Sequence, residues 1–119
     1  MQTVVLDTNA ILMPFEIRIN IDLAIEKLIG EARLVVPGPL IGELKHLKHK
    51  FANAALDLAR KYEIIQTVTT GDDAVIEAAT KTNGYVLTND KELRQRLRKM
   101  KIPMIYLRSG THLVTETFK

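Results

Sequence analysis

Val4-Val5-Leu6-Asp7-Thr8-Asn9 is the stretch on which the reading of this chain turns. An apolar, β-branched run ends abruptly in an acid and two small polar residues, and Ala10-Ile11-Leu12-Met13 follows. Consecutive apolar residues without alternation belong to a strand buried on both faces, as in a parallel sheet. A carboxylate at the C-terminal end of such a strand stands where open α/β sheets place their ligands. Asp is also a favoured helix N-cap, and taken alone Asp7 reads more readily that way. The arrangement recurs, however, in Tyr85-Val86-Leu87-Thr88-Asn89-Asp90. Two strand ends that carry acids point to one acidic pocket.

Outward from these two stretches, strands alternate with helices. Further strands are expected over 34–36, 64–68 and 104–107, and helices over 9–16, 22–30, 40–49, 53–62, 71–81 and 91–100. Pro14 limits the first helix. Asp22 starts the second and Gly30 stops it. In the third, Leu40, Ile41, Leu44 and Leu47 repeat at the spacing of one helical face. Residues 108–119 read as a tail whose apolar Leu113, Val114 and Phe118 pack on the domain or on a partner. Alternating strands and helices predict a three-layer α/β/α fold with a central, mostly parallel, five-stranded sheet. The span 1–119 is read as one domain, since 119 residues suffice for one core but not two.

Composition narrows the function. With no cysteine, disulfides and thiolate metal sites are excluded, which suits a reducing, cytoplasmic location. No apolar run approaches the roughly 20 residues of a membrane-spanning helix, and the start lacks a signal-peptide pattern. Net charge is +3, and the bases are bunched: Lys45, His46, Lys48, His49 and Lys50 in one run, Lys91, Arg94, Arg96, Arg98, Lys99 and Lys101 in another. Such clusters suit a polyanion, because each phosphate neutralised releases counterions. With no Trp, three Tyr and three Phe, backbone contact is favoured over base stacking.

The acids fall in four places. Asp7 and Asp90 end strands, Glu43 lies early in the helix after the second strand, and Asp72-Asp73 open the helix after the third. In a doubly wound sheet these positions share one rim. Crowded carboxylates repel one another unless a cation compensates. Hard oxygen donors, with neither Cys nor His beside them, favour Mg²⁺ or Mn²⁺. Of the adjacent pair, Asp73 is taken as the site acid and Asp72 as the helix cap. Asn9 and Thr88 are short polar neighbours able to orient a carboxylate, a role that ordinary turn chemistry matches. Lys45, Lys48, Arg94 and Arg98 are the candidates for holding a nucleic-acid backbone; His46 and His49 are assigned no chemistry.

These pieces together resemble a PIN domain: Asp7-Thr8-Asn9 after a strand, Ile41-Gly42-Glu43-Leu44, Asp73 opening a helix, and Thr88-Asn89-Asp90 with Leu93. The resemblance spans essentially the whole chain, and the order and spacing of the acids make it specific. It implies a metal-dependent endoribonuclease on a five-stranded parallel sheet. Asp7, Glu43, Asp73 and Asp90 would hold the metal, with Asp72 beside them. The last third is similar to the ribosomal-RNA-processing branch and its archaeal relatives, through Thr88-Asn89-Asp90-Lys91-Glu92-Leu93-Arg94 and Ile102-Pro103-Met104-Ile105-Tyr106-Leu107. The chain lacks the extensions of the eukaryotic members, which puts a pre-ribosomal partner in question. The toxin branch, neutralised by an antitoxin, has similar length and the same acids. A weakly active RNA-binding or scaffold module and a response-receiver domain are competing readings. Four retained acids weigh against the first, and an acid on the very first strand weighs against the second. The Ala-rich helices and apolar tail leave a homodimer open.

Overall fold

Val4, Val5 and Leu6 are fully buried in succession, so both faces of β1 (Gln2–Leu6) are covered. That strand lies in the interior of the sheet in a computed structural model that describes residues 1–118. Lys119 lies outside the described residues. The other elements are α1 (Thr8–Glu16), α2 (Ile21–Ile29), β2 (Ala32–Pro37), α3 (Pro39–His46), α4 (Ala52–Ala59) and β3 (Glu63–Ile65). They continue with α5 (Gly71–Thr82), β4 (Tyr85–Leu87), α6 (Lys91–Met100), β5 (Met104–Arg108) and β6 (His112–Glu116).

The strands form one sheet in the order β3-β2-β1-β4-β5-β6. From β3 to β5 every pairing is parallel, and β5 and β6 pair antiparallel from Met104↔Glu116 to Arg108↔His112. The chain leaves β1 toward β2 on one side and returns to β4 on the other. The direction of winding therefore reverses between β1 and β4, and crevices at the strand C-termini open at such switch points. One close approach seats β4 beside β1: a Cβ at Gly84 would stand 2.6 Å from the Thr3 carbonyl oxygen. No side chain fits there.

The α/β class agrees with the sequence, but the strand count does not. The sheet has six strands rather than five, because the expected tail carries β6. Ser109 and Gly110 both take positive φ, 56° and 67°, and turn the chain back after β5. Leu113 then enters the core. The third strand is shorter and earlier than expected, Glu63–Ile65. The third helix ends at His46, where Leu47 turns extended, rather than at residue 49. Pro14 sits inside α1, which ends two residues later. Its missing N–H costs one bond in the last turn. No helix among the described residues is long and apolar enough to cross a membrane.

Candidate active site

At the C-terminal edge of the sheet, a cavity of about 230 Å³ opens over the switch point between β1 and β4. Asp7, Glu43, Asp72 and Asp90 line it, with Thr8, Asn9 and His49 among the polar neighbours and Leu12, Leu40, Leu47 and Val75 as an apolar wall. No Lys or Arg is among its lining residues. The cavity is thus rich in negative charge and poor in compensation.

Asp7 serves two ends at once. Its Oδ1 accepts from Ala10 N at 2.8 Å and caps α1, while its Oδ2 accepts from the Thr88 hydroxyl. Cap and cavity wall are therefore one residue rather than alternatives. Asp90 repeats the device: Oδ1 accepts from Leu93 N at 3.0 Å and caps α6, and its own N–H donates to Thr88 Oγ1 at 3.1 Å. Thr88, fully buried, joins the two acids through one hydroxyl. Asn9 Oδ1 accepts from Asn89 N at 3.2 Å, and Asn89 Oδ1 accepts from Leu107 N at 2.7 Å. The ends of β1, β4 and β5 are stitched together by these short side chains, which holds the crevice open at a fixed width.

Glu43 reaches the cavity from α3, with the Thr8 hydroxyl 3.5 Å from its Oε1. Asp72 is brought in by the turn before α5. That turn is clamped from within the helix: Val68 N, Thr69 N and the Thr69 hydroxyl donate to Glu77 at 3.1, 3.0 and 2.7 Å. The Thr69 hydroxyl foremost, then Lys81 Nζ at 2.9 Å, and after them the backbone donors hold the Glu77 carboxyl down to about 2. A fixed turn fixes Asp72.

The adjacent acids part company. Asp72 lines the cavity, whereas Asp73 turns away and binds Arg96 Nη2 on α6 through Oδ1 at 2.6 Å. The N-cap of α5 is Thr70, and no side chain caps it. Neither acid has the place expected of it, since neighbouring helical residues point about 100° apart.

The basic candidates also divide. Lys45 and Lys48 are exposed, on α3 and on the loop beyond it that carries Leu47 and His49 to the cavity. Arg98 is instead paired with Glu116 on β6, Nε to Oε2 at 2.7 Å and Nη2 to Oε1 at 3.0 Å. Arg94 stands over Tyr106, its guanidinium carbon 4.6 Å from the ring centroid. Two of the three arginines of α6, Arg94 and Arg98, thus fasten that helix to the β5–β6 hairpin. His49, given no chemistry from sequence, lines the cavity.

The electrostatics follow from the crowding. Burial pushes the Asp7 carboxyl from its ordinary 3.8 up to about 7, and Asp72 and Asp90 add repulsion, against the pull of the Thr88 and Ala10 donors. Partial burial and then Asp90 raise Asp72, opposed by Arg96. No group of three or more His, Asp or Glu among the described residues is arranged to hold a metal ion as it stands. Repulsion keeps such acids apart, and a hard divalent cation relieves it. In chemistry, though not in preformed geometry, the donor set suits one.

A family model described as PIN like domain matches residues 4–110. Among curated proteins, Ribonuclease VapC9 of Archaeoglobus fulgidus is 28% identical over 94% of this chain and 87% of its own length. Ribonuclease VapC4 of Methanocaldococcus jannaschii is 32% identical over 91% of this chain and 92% of its own. Among solved structures, the PIN domain endonuclease Utp24 superposes with a TM-score of 0.81 at 22% identity, over 98% of this chain and 92% of that one. A domain of a functionally unknown protein from Methanocaldococcus jannaschii superposes with a TM-score of 0.67 at 16% identity, over all of both chains. With the family model spanning nearly the whole chain and the crevice of acids at the switch point, this chain belongs to the PIN-like domain family.

Proposed function

We propose that this chain is a divalent-metal-dependent endoribonuclease acting in RNA processing, with maturation of ribosomal RNA as its role. The observation that carries the reading is the cavity lined by Asp7, Glu43, Asp72 and Asp90 with no Lys or Arg among its lining residues. The likeness to two proteins named as ribonucleases supports RNA as the substrate. The motif resemblance around Thr88–Arg94 and Ile102–Leu107 supports the ribosomal role.

Asp7, Glu43, Asp72 and Asp90 would hold Mg²⁺ or Mn²⁺. Such an ion, when bound, supplies Lewis-acid stabilisation of charge developing on the phosphate and lowers the pKa of water for attack. Thr88 keeps the Asp7 carboxylate oriented and favours its charged form. Asp90 lines the cavity with its Oδ1 held by the cap of α6 and its backbone N–H held by Thr88. Lys45 and Lys48 take the RNA backbone alongside. A toxin-type ribonuclease held by an antitoxin is the second reading, and the same two relatives fit it equally well.

The test is cleavage of a labelled RNA with single-stranded segments in Mg²⁺, in Mn²⁺ and in EDTA, by wild type and by Asp90→Asn. Cleavage in metal, lost in EDTA and in the variant, is expected. Binding without cleavage in every metal would replace the reading with that of an RNA-binding module.

A further inference from the structure

Phe15, His49 and Phe51 form a run of rings that ends at the acidic cavity. The Phe15 and Phe51 centroids are 6.1 Å apart at 31°, and those of Phe51 and His49 are 5.9 Å apart at 39°. Phe51 N–H donates to His49 Nδ1 at 3.0 Å, which leaves the imidazole proton on Nε2. That nitrogen meets Glu16 Oε2 at 3.1 Å. Both nitrogens are thus engaged with the protein, one at the end of α1 and one in the loop before α4. His49 therefore lines the cavity with neither ring nitrogen left free as a donor or acceptor. Its side chain is 28% exposed.

A cation stands against these rings: Lys50 Nζ is 5.0 Å from the Phe51 centroid, and Lys48, next to His49 in the chain, is exposed. A fixed π surface with an ammonium group beside it suits an unpaired nucleobase, which stacks on the ring while its phosphate meets the cation. We propose that His49, oriented by Glu16 and backed by Phe51, is a stacking platform for an unpaired base next to the phosphodiester bound in the cavity. The proposal rests on the nuclease reading above, because it takes RNA as the ligand. It gives the site a preference for single strands, since a base held in a duplex has no free face to offer.

A latch between α1 and the α3–α4 loop would use the same two hydrogen bonds without any base. Two substitutions separate the ideas: His49→Phe keeps the ring and loses both bonds, and His49→Gln keeps a polar side chain and loses the ring. The probe is a single-stranded oligoribonucleotide with 2-aminopurine scanned along it, titrated in Mg²⁺ onto protein carrying Asp7→Asn to block cleavage. One position should be quenched on binding, more weakly in the His49→Phe protein, which keeps the ring but loses the bonds that orient it, and not in the His49→Gln protein. His49→Gln should weaken binding about tenfold or more. An abasic site at that position should remove this difference. Equal quenching with Gln, or Phe behaving as Gln, overturns the platform while leaving metal-dependent cleavage by the otherwise wild-type protein untouched. A chain that binds no RNA at all overturns both readings.

Discussion

The Thr88 hydroxyl donates to Oδ2 of Asp7 and accepts from the Asp90 backbone N–H, so one fully buried side chain sets the spacing of two cavity acids that lie far apart in sequence. Thr88→Val keeps the shape and removes both bonds. It leaves a polar group unsatisfied in a buried site, which costs about 1–3 kcal/mol of stability. It also removes a donor that favours the charged form of Asp7, so the acid limb of the pH–rate profile moves to higher pH. Thr88→Ser restores both effects. Denaturant melts and rates across pH check this.

Asp7 links stability to pH with a definite sign. Its folded pKa of about 7 lies above the ordinary 3.8, so between those values the folded chain binds more protons than the unfolded one. Metal-free protein should therefore lose stability as pH rises through that window, by about 4 kcal/mol at about 1.4 kcal/mol per unit. Asp7→Asn should flatten the dependence and melt higher than wild type near pH 8. Mg²⁺ or Mn²⁺ should stabilise wild type most above pH 7 and the variant little. Thermal melts across pH, with and without metal, decide it.

Asp72→Asn and Asp73→Asn should differ sharply. The first removes a cavity carboxylate, and cleavage should fall by orders of magnitude with the fold intact. The second breaks only an exposed ion pair with Arg96, worth about 0.2–1 kcal/mol, and should leave cleavage within a few-fold of wild type. Single-turnover rates on one RNA compare them.

Much of this was legible in the chain. The unbroken run Val4-Val5-Leu6 and its echo at Tyr85-Val86-Leu87 announce buried parallel strands, and an acid at the end of a strand reads directly as a rim residue. The choice between Asp72 and Asp73 was not legible, because the azimuth of a helix start depends on the turn before it. Here Glu77 sets that turn from two helical turns on. The side chains of α6 were equally opaque: in Lys91–Met100 charge covers most of the surface, Arg94 finds Tyr106 on β5, and Arg98 finds Glu116 only because β6 folds back beside it. The signal for β6 was present in Gly110, a residue suited to positive φ, between the apolar run Met104–Leu107 and the apolar pair Leu113-Val114. His49 left none, since it reaches the cavity only because α3 stops at His46.

The two basic clusters should therefore separate in salt. Lys45→Glu and Lys48→Glu should weaken RNA binding and make the slope of log K against log salt shallower, by about one unit for each phosphate no longer neutralised. Arg98→Met should leave that slope unchanged and cost up to about 1 kcal/mol through the broken Glu116 pair. Filter binding at several salt concentrations, beside melts, distinguishes the roles.

The most direct measurement is the rate at which Asp7→Asn protein cleaves the RNA that wild type cleaves in Mg²⁺ or Mn²⁺, with circular dichroism and RNA affinity recorded on the same samples. An acidic cavity that works through a bound metal predicts unchanged fold, near-wild-type affinity and no cleavage. Cleavage at the wild-type rate by a folded Asp7→Asn chain would contradict it.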